Sequence, residues 1–464
     1  MRVAAIDQGT TSTRCLVVAD DGAAELAGSR THAQWYPASG WVEHDPEELI
    51  TNIRALLAAA GPVDAIALAN QGESCLAWDA VTGAPLSNVI VWQDARTADE
   101  LAGLGAAVQA RSQAISGLPL DPYFSASKLG WLMRESPVVK AAHAQRRLRL
   151  GTTDAFFLER LTGTFATDLA TASRTGLLDL ATLTWSADLC ALHGVPIEAL
   201  PPIRAVDAGF GAVDGVPIKA SIVDQQAALY GHGCRAPGEV KITFGTGAFL
   251  LAITGAQRPT LDGLLPTIAW QRVGEGPVFA LEGGVYDAGA ALEWLRRLGL
   301  YQHPQELDGF EGPSVLSRGL VFVPALSGLA APYWDRHAAP LFIGMDAATD
   351  RRDMVRAALE GIALLTVGLI EPAANYAGAI TTLSIDGGLS QSRYFAGFLA
   401  AASRRTVLVP TLHEMTALGL AELCGVEVGR VRAKARRFEP DGSVSDADRQ
   451  RFTRAIGYSR GWRG

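Results

Sequence analysis

The chain predicts an α/β fold built twice over, as two large domains of similar design. Three observations carry that prediction. At 464 residues the chain is too long for one compact core. Short apolar runs of strand type alternate with longer segments of helical period. Finally, each half opens on a strand, a small-residue turn and a second strand. Val3–Ile6 and Cys15–Val18 flank the first turn, and Glu239–Phe244 and Ala248–Thr254 flank the second.

Taken in order, the first hairpin is the most informative segment. Asp7 ends its first strand, and Gly9 lets the backbone approach a bound group closely. Thr10, Thr11, Ser12 and Thr13 add hydroxyls, and Arg14 a planar cationic fork. A carboxylate beside such a cradle suits a polyphosphate carrying Mg²⁺, which takes few carboxylates and completes its shell with phosphate oxygens. An ordinary polar hairpin tip fits the same residues. Beyond it, helix is expected at 46–60, 125–135 and 154–161, and strand at 64–69, 75–79 and 89–92. The stretch 204–220, rich in Gly, Pro and Ala, reads as a loop. Ile222-Val223 then ends a strand, and Asp224 opens a helix through Ala227-Ala-Leu229. That position suits a helix N-cap as well as a general base.

A junction near Gly238 divides the chain into domains 1–238 and 239–464. The second hairpin turns on Gly245, Thr246 and Gly247. Strands are expected at 240–244, 248–253, 278–281, 320–323, 383–386 and 406–409. Helices are expected at 286–298, 350–370, 391–403 and 415–423. No G-x-x-x-x-G-K-[ST] occurs, so a P-loop is excluded as the phosphate site.

Composition narrows the partners. A formal charge of −8 argues against nucleic acid or an anionic membrane surface. Five scattered cysteines, with no C-x-x-C pair, fit buried thiols in a reducing cytoplasm rather than disulfides or a zinc site. Asp7 interrupts the first apolar stretch, so no secretory leader is expected. The apolar segment 361–370, bounded by Glu360 and Glu371, is too short to span a bilayer.

The segment Asp7-Gln-Gly-Thr-Thr-Ser-Thr-Arg14 resembles the N-terminal signature of the FGGY carbohydrate kinases, with the glycerol kinases nearest among them. The likeness continues through Gly40-Trp-Val-Glu-His-Asp-Pro46, Asn88-Val-Ile-Val-Trp-Gln-Asp-Ala-Arg-Thr97 and Gly117–Leu129. It runs on through Asp224-Gln-Gln-Ala-Ala-Leu229, Phe322–Asp335 and Ile385-Asp-Gly-Gly388. The matches are collinear and span nearly the whole chain.

What the resemblance implies is specific. The fold would be two duplicated actin-like (ribonuclease H-like) domains with the active site in the cleft between them. The reaction would be ATP-dependent phosphorylation of a small polyol, with Asp224 as general base. Glu73, Trp92, Tyr123, Asp224 and Gln225 would line the polyol pocket. Thr10, Thr11, Arg14 and Thr246 would meet the β- and γ-phosphates, with Mg²⁺ near Asp7. Gly289, Gly388 and Ser392 would border the adenosine. A cytoplasmic homodimer or homotetramer is the expected assembly.

Three departures qualify that reading. Gly72 stands where glycerol kinases usually carry an Arg that hydrogen-bonds substrate hydroxyls. Its loss removes donors and is expected to leave a gap beside Glu73. Glu293 and Ser392 replace a Gln and an Asn at the adenine rim. Three functions therefore stand side by side: a glycerol kinase, a kinase of a four- or five-carbon polyol or ketose, and a non-catalytic or ATPase member of the fold. The predicted polyol pocket argues against the third.

Overall fold

The computed structural model describes residues 1–260 and 263–463, with the side chains of Arg430 and Val431 left out. Its contacts divide the chain into two compact units. The first comprises Met1–Gly233, Thr267–Phe279 and Glu414–Val431; the second comprises Cys234–Pro266, Ala280–His413 and Arg432–Gly464.

In the first unit Val3, Ala4, Ala5 and Ile6 are all buried, so their strand needs cover on both faces and partners on both edges. That strand, β1 (Arg2–Gln8), pairs antiparallel with β2 (Ser12–Ala19), which pairs in turn with β3 (Ala24–Thr31). The sequence gives no strand signal over 24–31, because most of its side chains face water and lack alternation. It pairs as the edge strand because β2 has an open row of amides on its outer side. Helix α1 (Pro46–Ala59) starts where Asp45 accepts from the Glu47 amide and Pro46 presets the first turn. Leu49, Ile50, Ile53 and Leu56 bury its inner stripe.

Strand β4 (Ala65–Asn70) lies parallel to β1. Helix α2 (Ser125–Glu135) falls where its pattern predicts it. The expected loop at 204–220 is corrected: its last residues belong to β5 (Val216–Val223), parallel to β4. A register shift between Ile218 and Ala220 breaks the two-residue alternation that marks a strand. Strand β5 runs directly into α3 (Asp224–Gly231).

The second unit repeats the plan. Strand β6 (Val240–Phe244) pairs antiparallel with β7 (Ala248–Gly255). Helix α4 (Gly289–Arg297) begins three residues later than expected, because the Ala288 amide bonds the Thr246 carbonyl instead of opening a helix. Helix α5 (Arg351–Ala377) is 27 residues long and runs seven residues past its expected end, through Pro372. By length and composition it could cross a membrane, which corrects the view of 361–370 as a short apolar segment. Yet 78% of its most apolar stretch is buried within the protein, and it forms the spine of this unit's core.

Strand β8 (Thr382–Gly387) is parallel to β6, and α6 (Arg393–Ser403) leads to β9 (Thr406–Pro410), parallel to β8. The chain then returns to the first unit as α7 (Met415–Leu423), which packs on α3. It goes back to the second as β10 (Ala435–Phe438), antiparallel to β9. A hairpin strand followed by two parallel strands, β1-β4-β5 and β6-β8-β9, is thus built twice, as the paired hairpins predict.

Candidate active site

Strand register places the first set of predicted residues. Gln8 lies opposite Asn70, and Asn70 opposite Val223, so β1, β4 and β5 end level with one another. The residues that follow, Gly9-Thr10, Gln71-Gly72-Glu73 and Asp224-Gln225, leave the sheet on one edge. The carboxyl ends of adjacent parallel strands are where α/β sheets bind ligands. Asp7, the last but one residue of β1, stands opposite Arg14 in the hairpin.

Thr10 is held from three directions. His32 Nε2 donates to its carbonyl at 2.8 Å, Gln34 Nε2 donates to the same oxygen at 3.1 Å, and Trp92 Nε1 donates to its hydroxyl at 2.9 Å. His32 in turn packs edge-on against His44, whose Nδ1 accepts from Gln71. Burial, and then the neighbouring His32, push His44 down to about 3, so this support is uncharged at neutral pH. Thr11 is exposed. Arg14 also projects outward, where its guanidinium meets Glu414 at 3.1 Å.

Asp224 is the first residue of α3, one place after the N-cap position held by Val223, so it does not act as the N-cap. Its carboxylate accepts from the Gln225 amide at 2.6 Å. Both side chains are partly exposed. The helix that carries them is pinned by glycines. A Cβ on Gly231 would stand 1.9 Å from the Met415 carbonyl oxygen, and one on Gly419 would stand 1.9 Å from that of Ala227. Helices α3 and α7 therefore touch backbone to backbone.

The predicted polyol residues are linked. Trp92 and Tyr123 pack edge to face with centroids 5.5 Å apart. Lys128 is fully buried, and its ammonium donates to the carbonyls of Tyr123 and Val91, tying down the residues on either side of that contact. Glu73 is buried in a left-handed backbone conformation (φ 59°) that side chains rarely adopt. Its carbonyl accepts from Ser125 Oγ, and its carboxylate accepts from Arg174 Nε at 2.7 Å.

Arg174 escaped sequence reasoning, as did Lys128 and His32. Arg174 lies 101 residues from Glu73, beyond any local pattern. A lone cationic residue among the small residues Thr-Ala-Ser-Arg-Thr is the one available signal. The gap expected beside Glu73 is not open. Arg174 stands against the carboxylate, and a Cβ on Gly72 would lie 3.0 Å from Val223 Cγ2.

In the second unit Phe244 of β6 lies opposite Gly387 of β8, so the turn at Gly245-Thr246 and the turn at Gly388 leave the sheet together. Gly289 joins them: its amide donates to the Gly245 carbonyl, and a Cβ there would stand 2.5 Å from that oxygen. Its missing side chain thus serves close packing against the turn at 245–246. The Ala290 amide donates to Thr246. Gly388 has open space around its Cα, whereas its neighbour Gly387 (φ 86°) would place a Cβ 2.2 Å from the Phe244 carbonyl. Gly387 is therefore the structurally required glycine of the pair. Ser392 caps α6, accepting from the Phe395 amide and donating to the Leu307 carbonyl. Glu293 pairs with Arg296 on the surface of α4.

Among the described residues no cluster of three His, Cys, Asp or Glu side chains is placed to hold a metal. An ion held by one carboxylate together with phosphate oxygens and water, as Mg²⁺ prefers, needs no such cluster.

Two α/β units, each ending its parallel strands beside a Gly-Thr hairpin, define an actin-like phosphotransferase. Residues 2–231 match the N-terminal domain of the FGGY family of carbohydrate kinases, and residues 240–428 match its C-terminal domain. The chain belongs to that family and is an ATP-dependent carbohydrate kinase. It is 40% identical to a glycerol kinase of Citrifermentans bemidjiense, across 94% of this chain and 93% of that one. It is 38% identical to a glycerol kinase of Mycoplasma genitalium, across 92% and 89%. Among solved structures, Plasmodium falciparum glycerol kinase with ADP superimposes with a TM-score of 0.88 at 30% identity, covering 99% of this chain and 98% of that one. A ligand-bound xylulose kinase from Lactobacillus acidophilus shares the fold, with a TM-score of 0.85 at 20% identity over 99% of both chains.

Proposed function

We propose that the enzyme phosphorylates glycerol to glycerol 3-phosphate. The observation that carries this reading is the level ending of β1, β4 and β5, which brings Thr10, Glu73 and Asp224 to one sheet edge. The identity to glycerol kinases over nearly the whole chain supports it.

Phosphoryl transfer asks the protein mainly for position and charge neutralisation. Glu73 accepts hydrogen bonds from substrate hydroxyls, and Trp92 and Tyr123 wall the carbon chain. Asp224 orients the attacking hydroxyl and takes its proton as the new O–P bond forms, while the bond from the γ-phosphorus to the ADP oxygen breaks. Gln225 supplies an amide to the same substrate. Thr10, Thr11, Arg14 and Thr246 receive the β- and γ-phosphates; for Arg14 this means exchanging Glu414 for phosphate. Gly289, Gly388 and Ser392 border the adenosine. Asp7 would hold Mg²⁺ through water, and that ion neutralises charge on the phosphates when bound.

In this reading 1–238 is the polyol and phosphate half, and 239–464 the nucleotide half. The five cysteines, all free and buried, support a cytoplasmic setting, with a homodimer or homotetramer as the assembly. The test is coupled ADP release across glycerol, erythritol, the pentitols and the common ketoses. Glycerol is expected to give the highest kcat/KM. A higher value for a longer polyol or a ketose would overturn glycerol as the substrate while leaving the kinase assignment intact.

A further inference from the structure

Glu73 needs an account of its own. It is buried, and it sits in a strained backbone conformation. A buried carboxylate keeps one orientation only where a partner holds it. Arg174 is that partner. Its guanidinium is as deeply buried as the carboxylate, with side chains 2% and 6% exposed, and Nε stands 2.7 Å from Glu73 Oε1.

The same guanidinium carbon lies 5.9 Å from the Tyr123 ring centroid and 5.4 Å from that of Phe124. One cation therefore borders two residues of the proposed polyol pocket, the acid and the aromatic wall. Its own segment is anchored: the Arg174 amide bonds the Thr171 carbonyl, and Ser173 Oγ accepts from the Ile268 amide. The Thr175 carbonyl accepts from the Ala126 amide of α2. Gly72, next to Glu73, offers no side chain that could do this work.

We propose that Arg174 is the positioning residue of the polyol pocket, holding the Glu73 carboxylate in the orientation that receives substrate hydroxyls. It rests on the reading of Glu73 as a polyol ligand. A guanidinium suits the task because its planar fork fixes a carboxylate's angle as well as its charge, which an ammonium does not.

The experiment compares Glu73→Gln, Arg174→Lys, Arg174→Gln and the double variant Glu73→Gln/Arg174→Gln, measuring KM for glycerol, KM for ATP and kcat. The double variant leaves no unpaired buried charge, so it stays informative if Arg174→Gln alone fails to fold. Arg174→Lys is expected to raise the glycerol KM about 10-fold and Arg174→Gln about 100-fold, the range spanned by one charge-assisted hydrogen bond. KM for ATP should stay within about twofold, since in this reading the pair serves the polyol and not the phosphates. The double variant should be little worse than Glu73→Gln alone, because Arg174 acts through that carboxylate.

If Glu73→Gln raises the glycerol KM while both Arg174 variants leave it unchanged and lose only thermal stability, Arg174 is structural and the proposal fails alone. Additive losses in the double variant would also overturn it. If Glu73→Gln itself leaves the glycerol KM unchanged, the pocket reading fails and takes the proposal with it.

Discussion

Asp224 is the first residue of α3 rather than its N-cap, and its carboxylate accepts from its neighbour's amide. That leaves an acid at a strand end with its position fixed by backbone, which is what a general base requires. Asp224→Asn keeps the shape but cannot take a proton, so kcat should fall about 10²–10⁴-fold. ADP binding, measured by calorimetry, should persist. A near-normal kcat in the Asn variant would remove Asp224 from the chemistry. Gly72 makes a second argument at this scale. Its backbone is outside the left-handed region, so an L-residue is allowed there, but the new Cβ would press on Val223 Cγ2. Val223 immediately precedes Asp224, so Gly72→Arg alone should displace the base and lower kcat. Adding Val223→Ala removes that methyl and should restore kcat. A single variant with improved kcat/KM for glycerol would show that the gap is open after all.

At the scale of elements, the helix that carries Asp224 is located by glycine rather than by side-chain packing. Helix α3 meets α7 at Gly231 and Gly419, where any Cβ would overlap a carbonyl oxygen. Gly419→Ala must part the two helices, at a cost of about 1–3 kcal/mol or more, and should lower both Tm and kcat. The turn at Gly387-Gly388, on the proposed nucleotide side, gives a paired control. Gly387→Ala meets both a positive φ and the Phe244 carbonyl, whereas Gly388→Ala meets open space. The first should lower Tm and raise the KM for ATP, while the second should leave Tm unchanged. Equal effects on Tm would contradict the geometry. These elements also show what a sequence can reveal. Helices 125–135 and 415–423 and strands 75–79 and 240–244 match their expected bounds, because each carries its own periodicity and stop signals. Residues 24–31 and 216–223 do not, since one pairs as an exposed edge and the other hides its alternation behind a bulge. The site divides the same way. Thr10, Asp224 and Thr246 stand in local motifs, whereas Arg174 reaches Glu73, and Lys128 reaches Val91, only through tertiary packing.

For the whole molecule, the repeated strand plan has a consequence for ligand binding. The candidate polyol residues Glu73, Trp92, Tyr123 and Asp224 all belong to the first unit. Of the candidate nucleotide residues, Thr10, Thr11 and Arg14 also belong to the first unit, whereas Thr246, Gly289, Gly388 and Ser392 form a set in the second. Each set is assembled by its own sheet's register and its own turn, through hydrogen bonds that do not depend on the other ligand. Glycerol and nucleotide should therefore leave separate footprints when bound singly. In amide hydrogen exchange, glycerol alone should slow peptides covering 71–74, 91–93 and 123–125, because ordering the pocket raises the local opening free energy. ADP alone should slow 245–247, 287–290 and 386–389, together with the first hairpin's turn at 9–11, where its β-phosphate is received. Protection by glycerol confined to the second unit would displace the polyol site. Unchanged exchange at 245–247 and 386–389 with saturating ADP would show that the second hairpin is a structural copy of the first and not a nucleotide turn.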